Sequence, residues 1–183
     1  KLNELLNKKS TSEFLSAARQ FVTILENGEL NKETFYKEVH KALAELYRSA
    51  LELETVELLF SGPESEFEEI DKDKLREQNA NMISKLGKDS FYWEVFDPTY
   101  TEEDGKPGQG WKITDKEPSQ GWLVDDFSDI YADLKEELYK IDEIGTDEAI
   151  EDALWQLKFG FNHHWGNHCI NAMRALHYLW YDK

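Results

Sequence analysis

The chain has 183 residues, enough for one domain whose single core buries about 70% of the surface an unfolded chain exposes. Apolar residues make up 40% and charged residues 32%, with six Trp, eight Tyr and ten Phe, a composition that excludes intrinsic disorder. A net charge of -17 repels phosphates, which excludes nucleic acid as a partner, and no run approaches the roughly 20 apolar residues of a membrane span, which excludes membrane insertion.

Ser10 and Glu13 read as a capping box opening a helix over 13–27, with Phe14, Ala17, Ala18, Phe21, Ile24 and Leu25 at helical spacing and Gly28 as its stop. Asn31 caps a second helix over 32–60, in which Phe35, Val39, Leu43, Leu46, Ala50 and Leu53 recur at threes and fours up to Gly62-Pro63. An acidic connector over 64–70 leads to a third helix over 71–86, ended by Gly87. The aromatic cluster Phe91, Tyr92, Trp93, Val95 and Phe96 fits a helical turn or a strand equally well. Residues 97–121 hold three of the four Pro and four of the ten Gly among acidic side chains, and read as one long acidic loop with at most a short strand over 111–114.

The fourth helix, over 123–144 and ended by Gly145, is the clearest in the chain. Leu123, Phe127, Ile130, Tyr131, Leu134, Leu138 and Ile141 share one arc, and Asp125, Asp126, Asp129, Asp133, Glu136 and Glu137 the opposite, solvated one. Thr146 caps a final helix running to about 181, bent at Gly160 or Gly166. That helix is aromatic over much of its circumference and poor in Lys and Glu after position 158, as expected of a central helix. These elements predict an all-α fold: a single-domain bundle of about five helices over 1–183.

Residues 61–153 carry 10 basic and 27 acidic side chains, whereas residues 154–183 carry three and one, with four of the five His. A tight hairpin at Gly145 sets the acidic and the His-rich helices antiparallel, and brings Asp125, Asp126 and Asp129 level with 162–171. His164 and His168, at i and i+4, share a helical face, so Asp125, Asp126, Asp129, His164 and His168 form a candidate divalent-metal site. The competing reading is a network in which carboxylates satisfy buried His and Arg. The string Asp125-Asp126-Phe127-Ser128-Asp129 matches the DDxxD pattern of isoprenoid synthases, but those enzymes need a second metal-binding helix and a longer bundle, so the stripe reads as solvated face.

Cys169 is the single cysteine, which excludes an internal disulfide. It cannot face His168, since adjacent helical residues diverge by about 100°, and it reads as a small core residue. The glycines at 105, 108 and 110 flank Pro107 without a helix behind them and read as a turn rather than a phosphate cradle. His40 reads as exposed or structurally satisfied. No signal peptide is visible, and one cysteine suits a reducing compartment, so a cytoplasmic location is expected; the start at Lys1 rather than Met is compatible with a removed N-terminal segment.

Three segments carry a family likeness: Tyr92-Trp93-Glu94-Val95-Phe96-Asp97-Pro98; Gly121-x-Leu123-x-Asp125-Asp126-x-x-Asp129-Ile130-Tyr131-x-Asp133-Leu134-Lys135; and Trp155-x-x-x-Phe159-x-Phe161-x-x-His164-Trp165-Gly166-x-His168 with Asn171-Ala172-x-Arg174-Ala175-Leu176-His177. Together they resemble the bacterial family of unknown function labelled DUF5063, in detail over the C-terminal half and loosely over the first helices. The resemblance implies a small helical bacterial protein and assigns no activity, cofactor or catalytic residue. The leading functional expectation is a non-enzymatic binding or interaction module for a protein or small molecule. Its recognition surface is Trp111, Trp122 and the adjoining bundle end with His163, Asn171, Arg174 and His177. The alternative is a divalent-metal-dependent hydrolase built on the Asp and His set.

Overall fold

The apolar periodicities that predict the long helices are the ones the fold buries. The computed structural model describes residues 2–62, 65–68, 70–95 and 118–181. Among them the order is α1 (Leu2–Leu6), α2 (Lys9–Glu26), α3 (Lys32–Glu52), α4 (Lys72–Leu86), β1 (Phe91–Glu94), β2 (Ser119–Trp122), α5 (Leu123–Tyr139), α6 (Asp147–His163) and α7 (Trp165–Trp180). Phe14, Phe21 and Leu25 of α2, Phe35, Leu43 and Leu46 of α3, and Phe127, Ile130 and Leu134 of α5 pack into one core with Trp165, Cys169 and Leu176 of α7.

Several boundaries fall where their signals stand. Asn31 Oδ1 accepts from Thr34 N at 2.9 Å and Thr146 Oγ1 from Ala149 N at 3.2 Å, each satisfying an orphan donor at a helix start. Gly87 and Gly145 end their helices with φ of 54° and 64°, a backbone region that suits glycine.

Other expectations are corrected. Among the described residues seven helices occur rather than about five, through the short α1 and a split of the last helix. The Ser10 capping box does not form: α1 delivers the chain one turn early, and the Lys8 carbonyl accepts from Ser12 N at 2.9 Å. Helix α3 stops at Glu52, not 60. Glu52, Glu54 and Glu57 put negative charge at the negative end of its dipole, and the chain beyond is held instead by Glu151. The Glu151 Oε1 atom accepts the amides of Leu59, Phe60 and Ser61 at 2.6, 2.6 and 3.0 Å. Helix α5 ends at Tyr139 and passes into a π turn over Lys140–Ile144.

Within the aromatic cluster Phe91–Glu94 forms a strand, and Phe96 lies outside the described residues. β1 pairs antiparallel with β2, with Tyr92 opposite Gly121 and Phe91 opposite Trp122. Most of the predicted loop, including Trp111 and the 111–114 strand, lies outside the described residues. The predicted long C-terminal helix breaks at His164, whose φ of -142° and ψ of -92° are not helical. Trp165 turns fully into the core, and its ring lies so close to Gly160 that a Cβ there would sit 2.7 Å from it. A Cβ on Gly166 would stand 2.1 Å from the Phe161 carbonyl oxygen, so the two helices can approach only at a glycine. The last helix is also less central than expected: α7 buries Trp165, Cys169, Ala172, Ala175 and Leu176 but exposes Asn167, Arg174, His177 and Tyr178.

Candidate metal centre

Helices α5 and α7 meet along the stripe of acidic residues that amphipathicity assigns to solvent. Two members of that stripe are in fact buried: Asp126 is 3% and Glu137 7% exposed. Asp126 is covered by α7 and β1. Its Oδ1 accepts from His168 Nδ1 at 2.8 Å and its Oδ2 from the Tyr92 hydroxyl at 2.7 Å, so both oxygens are committed. Two turns along α5, Asp133 Oδ2 accepts from His164 Nδ1 at 2.7 Å. A carboxylate only accepts, so each imidazole carries its proton on Nδ1 and presents Nε2.

His168 Nε2 lies 3.4 Å from Asp129 Oδ2. One ring nitrogen of His164, one of His168 and one carboxylate oxygen of Asp129 lie within 4.8 Å of one another. The two rings stand edge to face with centroids 5.1 Å apart. Three ligands at about 2.0 to 2.1 Å from a tetrahedral ion stand roughly 3.3 Å apart, so closing on an ion needs a contraction of no more than about 1.5 Å. Asp126 and Asp133 stand behind the histidines as the carboxylates that fix ring orientation and raise ligand basicity.

The electrostatics follow from this arrangement. The hydrogen bond that His168 donates to Asp126, against the opposing effect of burial, raises the His168 imidazole above its ordinary value. Burial pushes the Asp129 carboxyl up, with Asp125 and Asp133 adding to it and His168 opposing. Tyr92 is raised by burial and by its bond to Asp126, and stays a donor. The ring reaches Asp126 because it passes over Gly121, where a Cβ would stand 2.4 Å from it.

Of the five residues grouped as a metal site from the sequence, the structure brings Asp129, His164 and His168 together and sets Asp126 behind them, while Asp125 is exposed and outside the converging set. His164 contributes from the break between two helices, not from the continuous face that i, i+4 spacing implies. The other candidate residues are spread out. Trp122 stacks on Phe91 at 5.9 Å and donates to Ser90 Oγ at 3.0 Å, which ties it to the ribbon. His163 is exposed against Phe159, and His177 is exposed against Tyr181. Asn171 donates to Glu94 Oε2 at 2.6 Å, and the Arg174 guanidinium stands 6.0 Å from the Tyr178 ring. Cys169 is fully buried, and burial pushes its thiol up, as a core residue requires. His40 is also pulled down by burial, with His177 adding to the effect.

Asp133 and Tyr92 belong to this hydrogen-bonded cluster, and residue chemistry alone did not single them out. Asp133 follows Asp129 by four on the same face, so its place in the cluster was readable from spacing. A cleft of about 310 Å³, lined by Asp133, His164, Gln156, Glu137 and Trp165 among others, adjoins this cluster. In its wall Glu137 is raised to about 8 by burial, while Lys140 holds it and Asp152 at 3.0 and 2.8 Å.

The DUF5063 family model, described as a domain of unknown function, matches residues 6–182. The chain belongs to the DUF5063 family. This DUF5063 domain is also similar to a crystal structure of protein BF1032 from Bacteroides fragilis, at 25% identity and a TM-score of 0.76 over 98% of this chain and 97% of that one. No curated protein matches it. The shared fold therefore extends over the whole helical bundle, and the chemistry must be argued from the residues. Among the described residues no helix is long and apolar enough to cross a membrane.

Proposed function

We propose that this DUF5063 domain is a divalent transition-metal protein whose centre is Asp129, His164 and His168. The observation that carries this reading is the convergence of three ligand atoms within 4.8 Å, from two helices and the break before one of them, with each imidazole anchored through Nδ1 by its own carboxylate. Two nitrogens and one carboxylate suit zinc and its neighbours, and a set of three protein ligands leaves coordination positions for water and substrate. An ion so held acts as a Lewis acid, the chemistry of metal-assisted hydrolysis. His164 is exposed and Asp129 half-buried, so the position is open to an arriving ion, and the adjoining cleft gives substrate an approach.

The residues divide the work. Asp126 and Asp133 hold the two imidazoles in one tautomer, and Tyr92 occupies the second oxygen of Asp126 so that this carboxylate keeps its orientation. Equilibrium dialysis of chelator-stripped protein against zinc or manganese tests the reading. One ion per chain is expected, lost in His168→Ala and Asp129→Asn, weakened about 10- to 100-fold in Asp126→Asn, and unchanged in Asp125→Asn. Absence of stoichiometric binding, or equal loss in Asp125→Asn and His168→Ala, overturns it.

A further inference from the structure

Beyond the end of α3 at Glu52, Leu53 still turns into the core at 3% exposure. Leu58, Leu59 and Phe60 do the reverse: they are 42, 58 and 53% exposed, three consecutive large apolar side chains at the surface. A lone exposed leucine is ordinary, whereas a consecutive run calls for a functional reason.

Their display is built into the backbone. The amides of Leu59, Phe60 and Ser61 all donate to Oε1 of Glu151, a residue that is itself 1% exposed. Successive N–H groups converging on one oxygen curve the backbone round it and leave the side chains on the outer, convex side. Leu59 and Phe60 there border a hollow of about 180 Å³, lined also by Leu5, Thr55, Val56 and Glu57. The apolar side chains are thus held in place before any partner arrives, which lowers the ordering cost of binding.

Charge decides what fits. From Ser49 to Asp71 the chain carries eight acidic side chains and no basic one, and Glu57 in the wall of the hollow is exposed. The nearby cation Lys8 is taken by Glu54 at 2.6 Å. A second copy of this chain would set like charge against like, and an anionic lipid surface is repelled in the same way. The complement is an apolar face flanked by cations, which a basic amphipathic helix presents.

We infer that Leu58, Leu59 and Phe60 form a docking surface for a basic amphipathic helix of a partner protein, with its apolar face on the hollow and its cations toward Glu57. The surface shares no residue with the metal centre, so either stands without the other.

Fluorescence anisotropy of a labelled amphipathic Leu/Lys helical peptide, titrated with chelator-stripped protein, tests it. Sodium chloride at about 0.15 M screens diffuse attraction beyond roughly 8 Å. Saturable one-to-one binding is expected, weakened at least about tenfold in the double variant Leu59→Ser, Phe60→Ser by loss of two apolar anchors. A peptide of the same composition, reordered so that it has no apolar face, binds at least about tenfold more weakly and equally to both proteins, and a Leu/Glu helix does not bind. The inference is overturned if the reordered peptide binds as tightly as the amphipathic one, if the double variant binds like wild type, or if phosphatidylcholine vesicles retain the protein through these residues and the peptide does not bind. Both substituted side chains are exposed, so the variant keeps its fold, which circular dichroism verifies.

Discussion

Asp126 and Glu151 show what single carboxylates do when a fold buries them. Each would be costly in isolation, and each is satisfied by donors from other elements. Asp126 takes a phenol and an imidazole, and Glu151 takes three consecutive amides of residues 59–61. Burial pushes Glu151 up, but the three backbone donors outweigh it and hold the carboxyl below its ordinary 4.5. A depressed acid contributes stability that is complete above the ordinary value and is lost as pH falls through the folded one. Glu151→Gln should therefore destabilise the protein by about 1 to 3 kcal/mol at pH 7, with the gap to wild type closing in acid below that value. Urea unfolding at pH 7 and pH 3 measures this, and a gap that persists undiminished at pH 3 contradicts it.

At the scale of elements, the sharpest feature is the break at His164. Trp165 is driven inward by its apolar surface, and Gly166 permits the contact with Phe161 that follows. A methyl group at Gly166 meets backbone rather than a yielding side chain, so Gly166→Ala should cost about 1 to 3 kcal/mol. It should also move His164 relative to His168, loosening metal binding along with the fold. Thermal melts and dialysis on the same variant check both effects, and an unchanged melting temperature would show that the helices do not meet this closely.

This junction also explains what could be read in advance. The core faces of α2, α3 and α5 were legible, because a long stripe at a period of 3.6 leaves one way to bury it. Phe127, Ile130 and Leu134 are each 0% exposed, as their arc requires. The Asp and His set was legible in part, through the hairpin at Gly145 that brings the two segments level. Its true membership was not, since spacing on a continuous helix cannot show that the chain turns at His164. The ribbon was hidden too: a run of aromatics has no period that separates strand from helix, and its partner strand lies beyond the acidic stretch. Tyr92 consequently entered the site only with the tertiary structure.

For the molecule as a whole, charge is the dominant surface property. Residues 61–153, about half of the chain, carry 27 of the 38 acidic side chains, and a net -17 repels itself in the folded state. Raising sodium chloride from low ionic strength to about 0.5 M screens that field, so the melting temperature of metal-free protein should rise by a few degrees. A fall instead would mean that its ion pairs, such as Lys8 with Glu54 and Arg19 with Asp142, outweigh the repulsion. The same field draws cations toward the helix that carries Asp125, Asp129 and Asp133, and against this background a specific centre must be distinguished from diffuse attraction. Crystals grown from chelator-stripped protein, exposed to zinc and measured at the zinc absorption edge, make that distinction directly. A single anomalous peak bonded to His164, His168 and Asp129, with Asp125 uninvolved, is the predicted result; density that places no ion among those three residues contradicts the account.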